Sequence, residues 1–551
     1  MKYPYFSVLY QNHIMKNLLL LVSIFFTVSI FAQKKNPDNW QTLDPKKDKV
    51  YGVGSEEAYK TLATSTSKKM IKTTIVAVID SGVDPNHEDL KDVIWQNEDE
   101  IADNGKDDDN NGYIDDVNGW SFLGGKNGDI NHEATELARI VQKGKKKYQD
   151  LTDESKLSGD ELKDYQEYKK LKEKFTTELK NQEKQLESIH AVDGYLQKVK
   201  KQNNGVLNKE AFKKYVPEGD METQLNKAII PAISLGLVKP EEIEEQVKEG
   251  LEQLEPMVKY NKLDSDSLRT YMVGDDVNNS SEKYYGNNHV QGPDARHGTH
   301  VAGIIAASRG NKIGIEGIAN NVKIMILRAV PNGDERDKDV ANAIYYAVDN
   351  GATVINMSFG KYYSPDKKLV DAAVKYAQSK DVLLIHAAGN ESKNNDEELS
   401  YPSRELLDGT MATNWIQVGA SAYKKGKTII GSFSNYGQKK VDLFAPGVDI
   451  YSPVPGSKYE SLSGTSMASP STAGVAAIIR TYFPELKAEE VKDVMMKTVV
   501  PYKGKVNVPG LKKPKGLRKK MKPVKKKVSE ICISGGFVNV NNAVIELMKK
   551  K

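Results

Sequence analysis

The 551-residue chain has a single cysteine, Cys532. No intrachain disulfide can form, so packing or bound ions must hold the fold. An excess of one charge is also missing: 79 Lys and Arg against 75 Asp and Glu leave a net charge of +4, too little by itself to indicate a nucleic-acid partner. A chain of this length nevertheless buries a large core and has room for more than one domain.

Long apolar runs are absent except near the N-terminus, where "MKNLLLLVSIFFTVSIFAQ" begins at Met15. A lysine, a short apolar core, Ala32 and then polar sequence read as a signal peptide over residues 1–32, the alternative being an uncleaved anchor. Met15 is the expected start, with Met1 to Ile14 an over-long leader. Export to the periplasm, the cell surface or the medium is expected, with no stable membrane anchor after cleavage. No cysteine near the cleavage point offers a lipid attachment.

Four short β-branched runs end in polar or glycine-rich sequence: "TTIVAVIDSGVD", "VKIMILRAV", "ATVINMSFG" and "VLLIHAAGN". Helical stretches such as "DVANAIYYAVDNG" lie between them. The alternation predicts an α/β fold, a doubly wound and mostly parallel sheet with helices on both faces. Ligands bind such sheets at the carboxyl ends of the strands, where Asp80, Ser358 and Asn390 fall.

Residues 133–285 break this grammar. Lys and Glu dominate, apolar residues recur at helical spacing, and "AIIPAISLGLV" is the most apolar stretch. An inserted α-helical subdomain is expected, either a solvated bundle without chemistry or a gate on a cleft. Residues 502–528, "YKGKVNVPGLKKPKGLRKKMKPVKKKV", are expected to form a flexible basic loop, because Pro and Gly interrupt any helix and the lysines repel. It is either simply solvated or weakly attracted to polyanions.

Two further stretches carry chemistry. "HGTHVAGIIAA" puts His297 at the head of a small-residue helix, and "GTSMASP" puts Ser466 at the head of another, with Pro470 one turn in. Hydrolysing an amide near neutral pH needs a nucleophile, a base, a group orienting that base, and oxyanion donors. Taken singly, Ser466 reads as a helix cap and Asp80 as a strand-end acid. His297 and His300 lack the glutamate of an HExxH zinc site, so His300, like His87, is expected to pack structurally.

"VIDSGVD", "HGTHVAG", "INMSFG", "AAGN" and "LSGTSMASPSTAGVAA", in that order, together resemble the subtilisin-like serine peptidases. The resemblance covers about Asp44 to His132 and Tyr285 to Leu547, apart from the basic loop, and omits the insertion; a catalytic domain is expected over residues 33–132 and 286–501, with 529–551 as its closing segment. It implies that Ser466 is the nucleophile, His297 the general base, Asp80 its orienting acid, and Asn390 an oxyanion donor beside the Ser466 N–H. It further implies that Ser358, Phe359 and Gly360 bind substrate as an added strand, and that Ala388 and Gly389 wall the pocket for the residue before the cut. The partner is then a protein or peptide substrate with no nucleic acid, and a monomer is expected. Members commonly carry a folded propeptide domain; only about forty residues separate Ala32 from the first strand, too few for one.

"NGKDDDNNGYIDDVNGW" spaces Asp107, Asp109, Asn111, the Tyr113 carbonyl and Asp115 as an EF-hand loop does, with Gly112 at the turn. Asn118 stands where the closing Glu belongs, and Asp116 is the substitute. A structural calcium ion is expected here, the alternative being an Asx-rich turn. No organic cofactor is implied. Three functional classes remain: an active endopeptidase, a silent binding protein on the same fold, and a scaffold that presents the insertion.

Overall fold

The computed structural model describes residues 36–64, 72–236, 238–515 and 520–549; the signal peptide expected over 1–32 lies outside them. Contacts divide the described chain into two compact units, residues 36–136 with 266–549, and residues 137–265.

The first unit is built on a nine-stranded sheet. In chain order its strands are β1 (Thr74–Asp80), β2 (Gly119–Ser121), β3 (Val322–Arg328), β4 (Val354–Met357), β5 (Leu383–Ala387), β6 (Trp415–Ser421) and β7 (Leu443–Pro446). After the antiparallel pair β8 (Ile450–Val454) and β9 (Lys458–Leu462), the short strands β10 (Val500–Pro501) and β13 (Gly536–Phe537) complete it. The spatial order is β10-β13-β7-β6-β5-β4-β1-β3-β2, and only the β10–β13 pair is antiparallel. The fold is therefore the doubly wound α/β sheet that the alternating runs predict.

Both faces are covered, which explains why the strands are apolar throughout rather than alternating. Val76 and Val78 of β1 face one cluster with α1 (Ser55–Ala63), α2 (Arg296–Ala306), α5 (Thr465–Tyr482), α6 (Ala488–Lys497) and α7 (Val540–Lys549). Ala77 and Ile79 face the other, with α3 (Asp337–Asp349) and α4 (Lys367–Ser379). The chain leaves β1 toward β3 and later resumes on its other side with β4, so strand order reverses at β1. The carboxyl end of β1 is thus a topological switch point, where a crevice opens in such sheets.

The basic segment is not the flexible loop its composition suggests. It folds as an antiparallel hairpin, β11 (Lys505–Lys515) and β12 (Lys520–Lys527). Val506, Val508 and Val528 are buried in a cluster with Ala388, Phe444 and Phe537, and this apolar root offsets the repulsion among exposed lysines.

The second unit is helical. A 44-residue helix, Gly159–Gln202, carries Ile189, Val192, Tyr195, Leu196 and Val199 on its buried stripe. These meet Phe212, Leu225, and Ile243, Val247, Leu254 and Val258 of the helix Pro240–Tyr260. The apolar stretch "AIIPAISLGLV" contributes less than its composition promises: Ile229, Ile230 and Ile233 are half-buried and Leu235 is exposed.

Candidate active site

Five strand and helix ends bring the motif residues together. Asp80 is the last residue of β1 and is buried, because the strand delivers it beneath α2. Its Oδ1 accepts hydrogen bonds from Ser81 N (2.8 Å) and His297 Nδ1 (2.7 Å). Oδ2 is buried without a hydrogen-bond partner among the described residues. His297, second in α2, keeps a side chain 38% exposed, leaving Nε2 free of that pairing. Burial works against the imidazolium, but the charge and hydrogen bond of Asp80 outweigh it, and the His297 pKa is raised above the usual value.

Gly298 makes this approach possible. A Cβ there would lie 2.1 Å from the Gly82 carbonyl oxygen and 3.2 Å from Asp80 Cβ, so a larger residue would push α2 off the end of β1. His300 is structural: Nε2 faces the carbonyls of Ile450 (3.0 Å) and Glu460 (3.2 Å), and burial lowers its pKa to about 3. His87 likewise bridges Lys458 O and Asp89 N.

Ser466 is the second residue of α5, which is buried along almost its whole length. That burial answers the small-residue composition: a Cβ on Gly474 would stand 2.8 Å from Ile318. Pro470 has no N–H to donate to the carbonyl one turn back, that of Ser466. Ser358 Oγ fills the gap by donating to Ser466 O at 2.9 Å, while Ser466 Oγ donates to Ser358 O at 3.0 Å. The serine hydroxyl therefore rests on Ser358 rather than on His297.

Asn390 lies three residues beyond β5 and is exposed. Its Oδ1 accepts from Thr465 N (2.8 Å) and Thr465 Oγ1 (3.0 Å), while Gly389 N donates to the same hydroxyl (3.1 Å). Holding the carbonyl end turns Nδ2 outward. A Cβ on Gly464 would meet Ser466 N at 3.5 Å and Asn390 Nδ2 at 3.6 Å, so both donors border one small space. Ser466 N, in the first turn of α5, has no intrahelical acceptor. Thr465 was not singled out by the sequence; its signal was its place directly before the serine, at the head of α5.

A pocket of about 190 Å³ opens beside these groups. Ser358, Phe359 and Gly360 line one side, and Ala388, Gly389 and Asn390 the other, with Ser466 among its walls. Gly389 has φ of +105°, and a Cβ would stand 2.4 Å from Asn435 Nδ2. His386 lies in the wall facing Phe359 O at 2.8 Å; burial lowers its pKa to about 4, so it stays neutral.

The acidic loop is arranged differently from an EF-hand. Glu100, Asp109 and Asp116 gather, with one carboxylate oxygen of each within 4.8 Å of the others. Asp107 lies outside this cluster and accepts the N–H groups of Asn111 (3.0 Å) and Gly112 (2.8 Å), and Asp115 those of Asn104 (3.0 Å) and Gly105 (2.9 Å), while Glu100 accepts those of Asp108 (2.8 Å), Asp109 (3.2 Å) and Asp115 (3.1 Å). Asn111 Nδ2 bridges Asp109 and Asp116, as does Asn97 Nδ2. The Tyr113 ring is buried against Trp120 and Tyr346. Glu100, seven residues before Asp107, escaped the spacing argument. Burial, then repulsion from Asp116 and Asp109, raises the Glu100 pKa despite its backbone hydrogen bonds; burial and Asp109 raise that of Asp116. Three carboxylates gathered in this way offer the hard oxygen donors that calcium takes.

Fold and site together describe an α/β protein with a serine-centred site at the switch point of its sheet. The chain belongs to the subtilase family, whose sequence pattern matches residues 72–522. A thermophilic serine proteinase of Bacillus sp. (strain AK1) is 45% identical over 186 residues, 33% of this chain and 42% of that protein. Subtilisin DY of Bacillus licheniformis is 36% identical over 204 residues, 37% of this chain and 69% of that one. The cell wall-associated protease of Bacillus subtilis (strain 168) is 37% identical over 217 residues, 39% of this chain and 22% of that one. Among the described residues no helix is long and apolar enough to cross a membrane.

Proposed function

We propose that this protein is an exported serine endopeptidase that hydrolyses peptide bonds of protein or peptide substrates through Ser466, His297 and Asp80. The observation that carries the reading is the 2.7 Å Asp80–His297 hydrogen bond beside a pocket that Ser466 and Asn390 both line. Asp80 fixes the tautomer in which Nδ1 carries the proton, so that Nε2 acts as the base. Ser466 Oγ attacks the scissile carbonyl carbon as its proton passes to Nε2. The resulting oxyanion is held by Asn390 Nδ2 and Ser466 N, already oriented by Thr465 and by the helix terminus. Collapse breaks the C–N bond, and His297 returns the proton to the leaving amine. Water then repeats the sequence on the acyl-enzyme and frees Ser466.

Ser358 to Gly360 offer backbone for an extended substrate, and Ala388 and Gly389 leave room for the side chain before the cut. A calcium ion held by Glu100, Asp109 and Asp116 would neutralise their mutual repulsion and brace the loop before β2.

Fluorophosphonate labelling of the mature protein, with the adduct located by peptide mass spectrometry, tests the reading. An adduct on Ser466 that disappears in His297→Ala is expected. Absence of any adduct, with and without calcium, would leave a silent binding protein on the subtilase fold.

A further inference from the structure

From Val499 to Val528 the chain has no aspartate or glutamate, yet twelve lysines and arginines lie between Lys503 and Lys527. The whole chain is only +4, so the remainder is net negative and the positive charge is concentrated on this one stretch of sequence. The hairpin's register sets Lys505 opposite Lys527. Like charges directly opposed weaken a ladder, and an anionic chain lying along it relieves that cost. Lys505, Lys512, Lys522 and Lys527 are exposed. Asn507 N donates to Lys427 O (2.7 Å), which sets the exposed Lys425 and Lys427 beside the hairpin root.

The hairpin also reaches the rim of the site. Gly510, at φ +65°, packs so closely on Ser392 that a Cβ would stand 2.7 Å from the Ser392 carbonyl oxygen. Ser392 is two residues beyond Asn390, and Lys512 is two residues beyond Gly510. The adjoining loop carries acids of its own: Glu391 accepts from Asn435 Nδ2 (2.9 Å), Asp396 from the N–H groups of Lys439 and Lys440, Glu397 from Asn394 Nδ2 (2.8 Å), and Glu398 is paired with Lys393 (2.5 Å).

We propose that the hairpin β11–β12, with the turn at Lys425–Lys427, is an exosite that docks acidic stretches of polypeptide substrates beside the pocket. The proposal rests on the peptidase reading for its substrate and on the hairpin for its charge. Nearness to Asn390 favours the substrate itself as occupant over a polymer unrelated to the reaction. Docking of this kind concentrates substrate without touching the reacting atoms, so it lowers KM and leaves kcat alone.

The test compares the full chain with a variant carrying Lys505→Gln, Lys512→Gln, Lys522→Gln and Lys527→Gln. On casein, an acidic protein, KM should rise about tenfold with kcat unchanged, and on a short uncharged peptide neither constant should move. Salt at about 0.5 M should raise the parent KM for casein toward that of the variant. A control with Lys163, Lys170, Lys239 and Lys248 of the helical unit changed to Gln, all well exposed, should behave as the parent. Equal KM values for casein, or an equal loss in the control, overturn the proposal. Anisotropy of labelled poly-glutamate with Ser466→Ala decides docking apart from hydrolysis: binding lost only in the hairpin variant supports it. Retention on heparin without poly-glutamate binding assigns the hairpin to a polysaccharide and overturns it. Failure of fluorophosphonate labelling would strike the peptidase reading alone.

Discussion

His297 sets the pH dependence expected of hydrolysis. The base must be neutral, and its pKa is raised because Asp80 favours the imidazolium more than burial disfavours it. The acid limb of kcat/KM should therefore lie above about 6.5, the ordinary histidine value, with activity rising as pH rises through it. In Asp80→Asn the largest raising influence is gone while burial remains, so the limb should move downward and the maximal rate should fall by about four orders of magnitude. A pH–rate profile of both proteins on a chromogenic peptide checks the sign. Asn390→Ala removes the proposed oxyanion donor and should lower kcat a hundredfold or more, about 3 kcal/mol, a magnitude established within this same family. KM should change little, because the ground-state carbonyl gains less from that donor than the oxyanion does. At this scale the placement of Asp80 at the end of β1, His297 at the start of α2 and Asn390 shortly after β5 is legible, since each sits in a motif that closes an apolar run or opens a small-residue helix. The Ser358–Ser466 exchange is not, because it depends on which carbonyl Pro470 orphans and on what β4 places within reach.

Two helices meet the sheet through missing side chains. Gly298 lets α2 rest on the Gly82 carbonyl, and Gly474 lets α5 rest on Ile318. Gly298→Ala should therefore displace α2, weaken the Asp80–His297 hydrogen bond, and cost about 1–3 kcal/mol as overpacking does. Thermal unfolding should show the loss of stability, and fluorophosphonate labelling of Ser466 should slow in the same variant, linking the packing defect to the site. The alternation of runs made the sheet readable, because buried parallel strands leave a continuous apolar trace. The basic hairpin was misread for the converse reason. Lysine repulsion and proline argue against order locally, whereas Val506, Val508 and Val528 secure the strands through a core supplied by distant residues such as Phe444 and Phe537.

The whole molecule lacks a covalent staple, since its one cysteine is buried and free. The acidic cluster before β2 occupies a place where an ion would serve instead. Asp109 lies on the loop, Glu100 on the segment before it, and Asp116 is tied by its carboxylate to Tyr346 of α3. An ion there would join a loop to the helix layer of the sheet. Binding only the folded state at a hundred times the dissociation constant stabilises by about 2.7 kcal/mol. Chelation should accordingly lower the melting temperature measurably, and calcium, more than magnesium, should restore it, because calcium accepts an irregular set of oxygen ligands. Glu100→Gln separates this from a general salt effect. It removes one carboxylate charge from the cluster, while the carboxamide oxygen keeps one acceptor for the N–H groups of Asp108, Asp109 and Asp115 that Glu100 holds. The variant should melt at the same temperature with and without calcium, while Asp107→Asn should keep most of the calcium response. The reverse result would restore the EF-hand-like ligand set read from spacing. Spacing favours that set because the loop residues are close in sequence; the fold favours the other because it brings Glu100 across to Asp109 and Asp116, a cluster from which Asp107 and Asp115 are absent.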